Sequence, residues 1–305
     1  MKNKISFCHV LRRNWSLYLL VMIPLIHLLL FKYWPMYGAQ IAFRDYKPAL
    51  GILESPWVGW KHFKTFFDSH LFCGLLKNTL LISLYGLATF PLPIILAILL
   101  HYVPSRGFRK TVQLVSYFPY FISTVVMVGM ILQFLDTREG VVNMLLNSLG
   151  IKSISFMGKA KYFYGVYTWT GVWQTVGYSS VIYISALSGV SPELHEAAIV
   201  DGATILKRIW HIDIPTILPT VVIMLVLSCG NLLNVGYEKA YLMQNPLNLS
   251  SSEIIQTYVY KQGLASEINN YSYAAAIGMF VSVVNLVLLV SVNRISKSLS
   301  GIALW

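Results

Sequence analysis

The sequence predicts an all-α polytopic membrane protein with six transmembrane helices, and three observations carry that reading. Of 305 residues, 56% are hydrophobic and only 11% are charged, whereas a soluble domain carries about a quarter charged residues. Six stretches are each apolar over about the 20 residues a bilayer-spanning helix needs. Lys and Arg stand close to the ends of those stretches, where basic side chains meet anionic headgroups. The net charge of +11 therefore belongs to a lipid bilayer. The bases are scattered singly and form no stripe, which excludes nucleic acid as a partner.

The elements follow in order. Residues 1–14, a basic cytoplasmic tail, lead into an apolar run without a small-x-small cleavage site. This reads as an uncleaved signal-anchor. The six spans are expected at Trp15–Tyr33, Thr79–Leu100, Val112–Leu135, Tyr162–Val190, Pro215–Leu233 and Tyr271–Val292. They must be helices, because backbone polar groups in lipid can be satisfied only within the segment. The fourth is long enough to tilt or to start outside the hydrocarbon. Pro24, Pro91, Pro93 and Pro119 predict kinks or breaks. Lys2, Lys4, Arg12, Arg13, Arg106, Arg109, Lys110, Arg294 and Lys297 lie near span ends, which places both termini in the cytoplasm. Loops 34–78, 136–161 and 234–270 then face outward. Their aromatics and short helical patterns, such as "KHFKTFF" and "VVNMLLNSLG", read as ordered caps. One membrane domain covers 15–293, followed by a cytoplasmic tail at 294–305.

Several chemistries are excluded. Cys8, Cys73 and Cys229 are far apart and form no CxxC or Cys/His metal spacing, so neither a disulfide framework nor a metal site is expected. No Asp, Glu, Lys or Arg falls in the core of a span, which argues against proton coupling. His27 is the only span-core histidine and reads as packing. No GxxxxGK[ST] loop is present, so the chain binds no ATP in that manner. HExxH, GxSxG and kinase signatures are absent, and no catalytic residue is assigned. Asp136 and Glu139 read as a solvated helix entry. Uncharged polar residues do occur in the spans: Gln133, Gln174, Asn231, Asn234, Asn285, Ser83 and Ser228, with aromatics that include Trp173, Tyr167 and Tyr178. Amides beside rings suit a neutral, hydroxyl-rich ligand and equally suit interhelical hydrogen bonding. Gln174, Trp173, Asn231, Asn234 and Gln133 are the candidate substrate-pathway residues.

The segment "SPELHEAAIVDGATILKRIWHIDIP", residues 191–215, stands apart because it is polar between two apolar runs. Ser191 fits an N-cap, Pro192 the first helical position and Glu193 the first turn. A helix is expected from Pro192 to about Val200, ended by Gly202 at positive φ. A second stretch, Ala203–Trp210, follows, and Pro215 opens the next span. Ala197 and Ala198 keep one side slim enough for another surface to approach. An interfacial amphipathic helix without a partner would have the same character.

The residues carry a resemblance. Glu196-Ala197-Ala198, a spacer, Gly202, nine residues and then Ile212-Asp213-Ile214-Pro215 resemble the EAA signature of ATP-binding-cassette importer permeases of type I, departing from it in Ile214 where that pattern has Leu. "YWPMYGAQIAFRDYKP", "SPWVGWKHFKTFF", "NVGYEKAYLMQNP", "IIQTYVYKQGL", "YSYAAAIGMF" and "LSGIALW" resemble the polysaccharide/lipoprotein-permease branch of the carbohydrate-uptake family and cover nearly the whole chain. The resemblance implies a transmembrane type-1 core at about 75–293 and a coupling helix at about 192–202. It further implies that Glu196, Ala197, Ala198, Asp201, Gly202, Ile212 and Pro215 form the ATPase-coupling segment. The implied partners are a second homologous permease, two ATPase subunits that hold ATP and Mg, and an extracellular solute-binding lipoprotein received by loops 34–78 and 234–270. The implied activity is uptake of oligosaccharides across a bacterial plasma membrane by ATP-driven alternating access. A membrane-embedded glycan-processing enzyme and a permease for a non-sugar substrate are the competing readings.

Overall fold

The computed structural model describes residues 14–266 and 269–305. Lys2, Lys4, Cys8, Arg12 and Arg13 of the expected tail lie outside them. The described chain is helical, with two isolated β-bridges, Arg44–Trp57 and Lys47–Gly51. The described residues divide into two compact units, 14–66 with 262–266 and 269–279, and 67–261 with 280–305.

In the first unit, α1 (Trp15–Leu28) continues through a wide turn at Leu29–Tyr33 and a 3-10 stretch at Trp34–Phe43. None of the residues of α1 is buried. A helix apolar all round and uncovered by protein is solvated by lipid tails. The expected cap after it is ordered. Phe43 packs against Trp57, Trp60 and Phe63 with ring centroids 5.6, 5.3 and 5.4 Å away, inside the range of favourable aromatic pairs. Arg44 Nη1 donates to the carbonyls of Leu53 and Ser55, each at 2.8 Å. Ala42, Phe63 and Ala276 form a buried cluster in this unit.

The second unit is built on α2 (Phe72–Ala88), α3 (Pro91–Tyr102), α4 (Arg106–Tyr117), α5 (Thr124–Phe134), α6 (Ala160–Leu187), α7 (Pro192–Val200), α8 (Ile205–Arg208), α9 (Ile214–Gly230) and α10 (Tyr237–Met243). α6 is the central element. Its side chains join two cores: Phe163 with Ile82, Met127, Ile131 and Met243, and Tyr183 and Leu187 with Ala97 and Ile217. Gly177 permits the closest approach: a Cβ there would stand 2.0 Å from the Ser116 carbonyl of α4.

Among the described residues four helices are long and apolar enough to cross a membrane: Trp15–Phe43, Phe72–Tyr102, Ile205–Gly230 and Tyr271–Ser300. The stretch expected as one span at Val112–Leu135 is instead a bent pair, Arg106–Phe121 and Thr124–Phe134, with 101° between the helices. Pro119 lacks an N–H and sits in a 3-10 turn at Phe118–Phe121. Ser123 then starts a new helix by accepting the Val126 N–H. α6 is long enough to span at 28 residues, yet its Tyr, Thr, Ser, Gln and Trp make it more polar than the other four.

Candidate functional site

Two places merit description, both within the second unit. The first is the polar segment. α7 runs over Pro192–Val200, as the sequence predicts, and Gly202 ends it at φ +75°. The Ser191 hydroxyl makes no capping bond; extended backbone at Ser191 and the fixed φ of Pro192 set the start instead. The cap that does form is Thr204, whose hydroxyl accepts the Lys207 N–H at 3.4 Å.

The second half of the segment differs from expectation. The structure shows neither a separate helix at Ala203–Trp210 nor a span opening at Pro215. Helix is continuous over Ile205–Gly230, passing through a wide turn at Ile209–Asp213 in which the Ile214 N–H reaches back to the Ile209 carbonyl. The wider turn accommodates Pro215, whose ring would crowd a regular turn and which supplies no N–H. Lys207, Arg208 and Asp213 thereby belong to the same continuous helix as the span.

The segment has two sides. Glu196, Ala197, Asp201, Gly202 and Pro215 are exposed, while Ala198 and Ile212 are half-buried. Large apolar side chains share the open side, with Val200 87% and Leu206 69% exposed. On the inner side Asp213 is fully buried. Its Oδ2 accepts the Tyr102 hydroxyl at 2.6 Å, and its Oδ1 lies 3.2 Å from His195 Nε2. Arg208 stacks its guanidinium 5.5 Å from the centre of the Tyr102 ring. His195 thus faces into the protein from α7. His211 is exposed, with Nδ1 on the Lys207 carbonyl at 2.9 Å.

The second place is a cavity of about 420 Å³ among α2, α6 and the end of α9. Its polar lining is uncharged and includes Ser83, Thr168, Thr175, Ser228, Asn231 and Asn234. Asn234 Nδ2 donates to Asn231 Oδ1 at 3.3 Å, so the two predicted amides stand together. The other three predicted pathway residues lie elsewhere. Gln174 donates to the Ile122 carbonyl at 3.0 Å and satisfies the backbone freed by the Pro119 break. Trp173 points away from the cavity although Gly171, Val172 and Thr175 line it, because adjacent helical residues are turned about 100° apart. Gln133 is exposed near the end of α5. Thr168, Gly171, Val172 and Thr175 were readable as a small-residue stripe at helical spacing.

Behind the cavity wall sits Lys239 of α10, 8% exposed. Its Nζ donates to the Tyr167 carbonyl at 2.7 Å and lies 4.6 Å from the centre of the Tyr167 ring. Burial pushes its pKa down to about 7. Asp136, by contrast, is a turn cap: Oδ1 accepts the N–H groups of Arg138 and Glu139 at 2.8 and 2.9 Å. Those bonds hold its pKa below the usual carboxylate range.

Residues 89–301 match the family described as binding-protein-dependent transport system inner membrane component. Protein LplB of Bacillus subtilis (strain 168) is 41% identical over 294 residues, 96% of this chain and 92% of that protein. The polygalacturonan/rhamnogalacturonan transport system permease protein YteP of the same organism is 42% identical over 282 residues, 92% of this chain and 87% of that protein. Among solved structures, a chain of a bacterial ABC transporter involved in the import of the acidic polysaccharide alginate superposes with TM-score 0.87 at 36% identity, over 95% of this chain and 98% of that one. A chain of the bacterial alginate ABC transporter in complex with alginate pentasaccharide-bound periplasmic protein gives TM-score 0.89 at 35% identity, over 98% and 99%.

Proposed function

The chain belongs to the family of binding-protein-dependent transport system inner membrane components, and we propose that it is the permease subunit through which an ATP-driven importer takes up oligosaccharides delivered by an extracellular solute-binding protein. The observation that carries this reading is the form of residues 191–215. A short helix presents Glu196 and Ala197 outward beside exposed Ile199 and Val200, is cut off by a glycine at positive φ, and resumes as a helix that runs unbroken to Gly230. A surface of this kind can be grasped by a partner and transmits displacement along a stiff element.

In this proposal Glu196, Ala197, Ala198, Asp201 and Gly202 meet an ATPase subunit, with Ile212 and Pro215 setting where the helix enters the bilayer. The segment and both termini face the cytoplasm. A second, homologous permease completes the pathway, and two ATPase subunits bind ATP and Mg. ATP-driven closure of those subunits displaces α7 and turns the cavity outward, where loops 34–78 and 234–270 receive the solute-binding protein. The cavity supports a sugar substrate because its polar groups are hydroxyls and amides, which both donate and accept hydrogen bonds as saccharide hydroxyls do.

The test is the double substitution Glu196→Lys, Gly202→Pro. Charge reversal and a ring at a positive-φ position are expected to abolish co-purification of the ATPase and ATP-dependent uptake together. Normal uptake with normal ATPase association would refute the assignment. An oligosaccharide panel, read as thermal shift of the solute-binding protein and as uptake, then identifies the sugar.

A further inference from the structure

Nothing in the sequence spacing marks a metal site, yet folding brings three ligand-type side chains together. His101 ends α3, His195 lies in α7, and Asp213 lies in the wide turn before α9. One ligand atom from each falls within 4.8 Å of the others, and the two imidazole rings are 6.0 Å apart between centroids. The geometry between His195 and Asp213 is informative. Nε2 and Oδ1 are 3.2 Å apart, but neither His195 nitrogen nor Asp213 Oδ1 makes a hydrogen bond, although all three are cut off from solvent. A ring nitrogen's in-plane lone pair occupies the direction its N–H would take. Neither group is engaged by the other in a hydrogen bond, so buried acceptor atoms of both are left available to a shared cation. Zinc–nitrogen and zinc–oxygen distances of about 2.0–2.2 Å in a tetrahedron place neighbouring ligand atoms about 3.3 Å apart.

We propose that His101, His195 and Asp213 form a binding site for a divalent transition metal of the zinc class, which staples α7 to the ends of two membrane helices. Two imidazoles and one carboxylate suit zinc, and water completes the shell. The remaining carboxylate oxygen, Oδ2, is already held by the Tyr102 hydroxyl, the outer-shell support that orients a ligating carboxylate. The Arg208 guanidinium over Tyr102 opposes a cation here, so the net charge of the ligands favours one ion and no more. The site stands whether or not α7 meets an ATPase, because its occupancy is measured directly.

The full-length chain, purified with its partner subunits in detergent and stripped with a chelator, is equilibrated with zinc chloride and the bound metal counted by mass spectrometry. One ion per chain is expected, and cobalt(II) at the same site gives the visible absorption of a tetrahedral centre. His101→Gln and His195→Gln are each expected to weaken binding by at least about tenfold, whereas His211→Gln, which changes the exposed histidine of the same segment, leaves it unchanged. If His195→Gln does not assemble, His101→Gln decides, since it leaves the Tyr102–Asp213 bond intact. Absence of saturable binding by the native chain, equal binding by His101→Gln, or loss of binding in His211→Gln would overturn the proposal.

Discussion

The polar segment and the cavity divide the chemistry of the second unit between them. The segment at 191–215 concentrates four acids, two bases and two histidines, while the cavity is lined without a single charged side chain. A surface held by a partner gains specificity from fixed charges at its rim. Under the proposed function, a passage gains nothing from a charge that would bind tightly and release slowly. Stability follows the same division: the segment is anchored inward by Asp213 and the cavity is shaped by small residues on α6.

The largest expected effect breaks the segment and spares the cavity. Gly202→Val forces a β-branched residue to φ +75°, at a cost of about 1–3 kcal/mol; ATP-dependent uptake should fall by more than tenfold while thermal unfolding of the permease changes by only a few degrees. Next, Asp213→Ala leaves the Tyr102 hydroxyl and the inner side of α7 without their partner, costing roughly 1–3 kcal/mol and lowering the detergent melting temperature. Thr175→Leu with Asn231→Leu, which fills the cavity, should reduce oligosaccharide uptake several-fold with ATPase association intact; loss of association instead would merge the two regions. The smallest effect is at Lys239. Its folded pKa of about 7 lies below its unfolded value of about 10.4, so the folded chain binds fewer protons between those values and stability rises with pH across that window. Lys239→Met removes that dependence: its melting temperature relative to the native chain should be higher at pH 6 than at pH 9.

These two regions also differ in how far their sequences announce them. The bounds of α7 and the positive φ at Gly202 are legible because Pro at the first position and Gly at the end act locally, within a few residues. The helical character of the six apolar stretches is legible from composition, although the described residues hold four helices that meet the length and hydropathy of a span, with Val112–Leu135 a bent pair. The break at Pro119 is legible as a proline effect, though its right angle is not; the loss of Gln174 to the Ile122 carbonyl and the absence of Trp173 from the cavity lining are not legible, because each depends on which face of one helix meets another. Asn231 and Asn234 line the cavity, and Thr168 and Thr175 join them from α6. His195 and Asp213 lie 18 residues apart and His101 stands far upstream of both, so no metal-ligand spacing rule could join them.

The wide turn at Ile209–Asp213 acts as a phase shift. Such a turn is an α-helix carrying one extra residue, and one residue is about 100° of rotation. The side on which Lys207 and Arg208 stand is thereby offset from the side on which Ile217 and Val226 enter the core. Deleting one residue within 209–213 would restore a regular helix and rotate everything before it by that angle, swinging Thr204 and the whole of α7 around the axis while every contact of α9 stayed in register. The alignment between the exposed polar segment and the apolar helix that follows it is thus written in a single surplus residue.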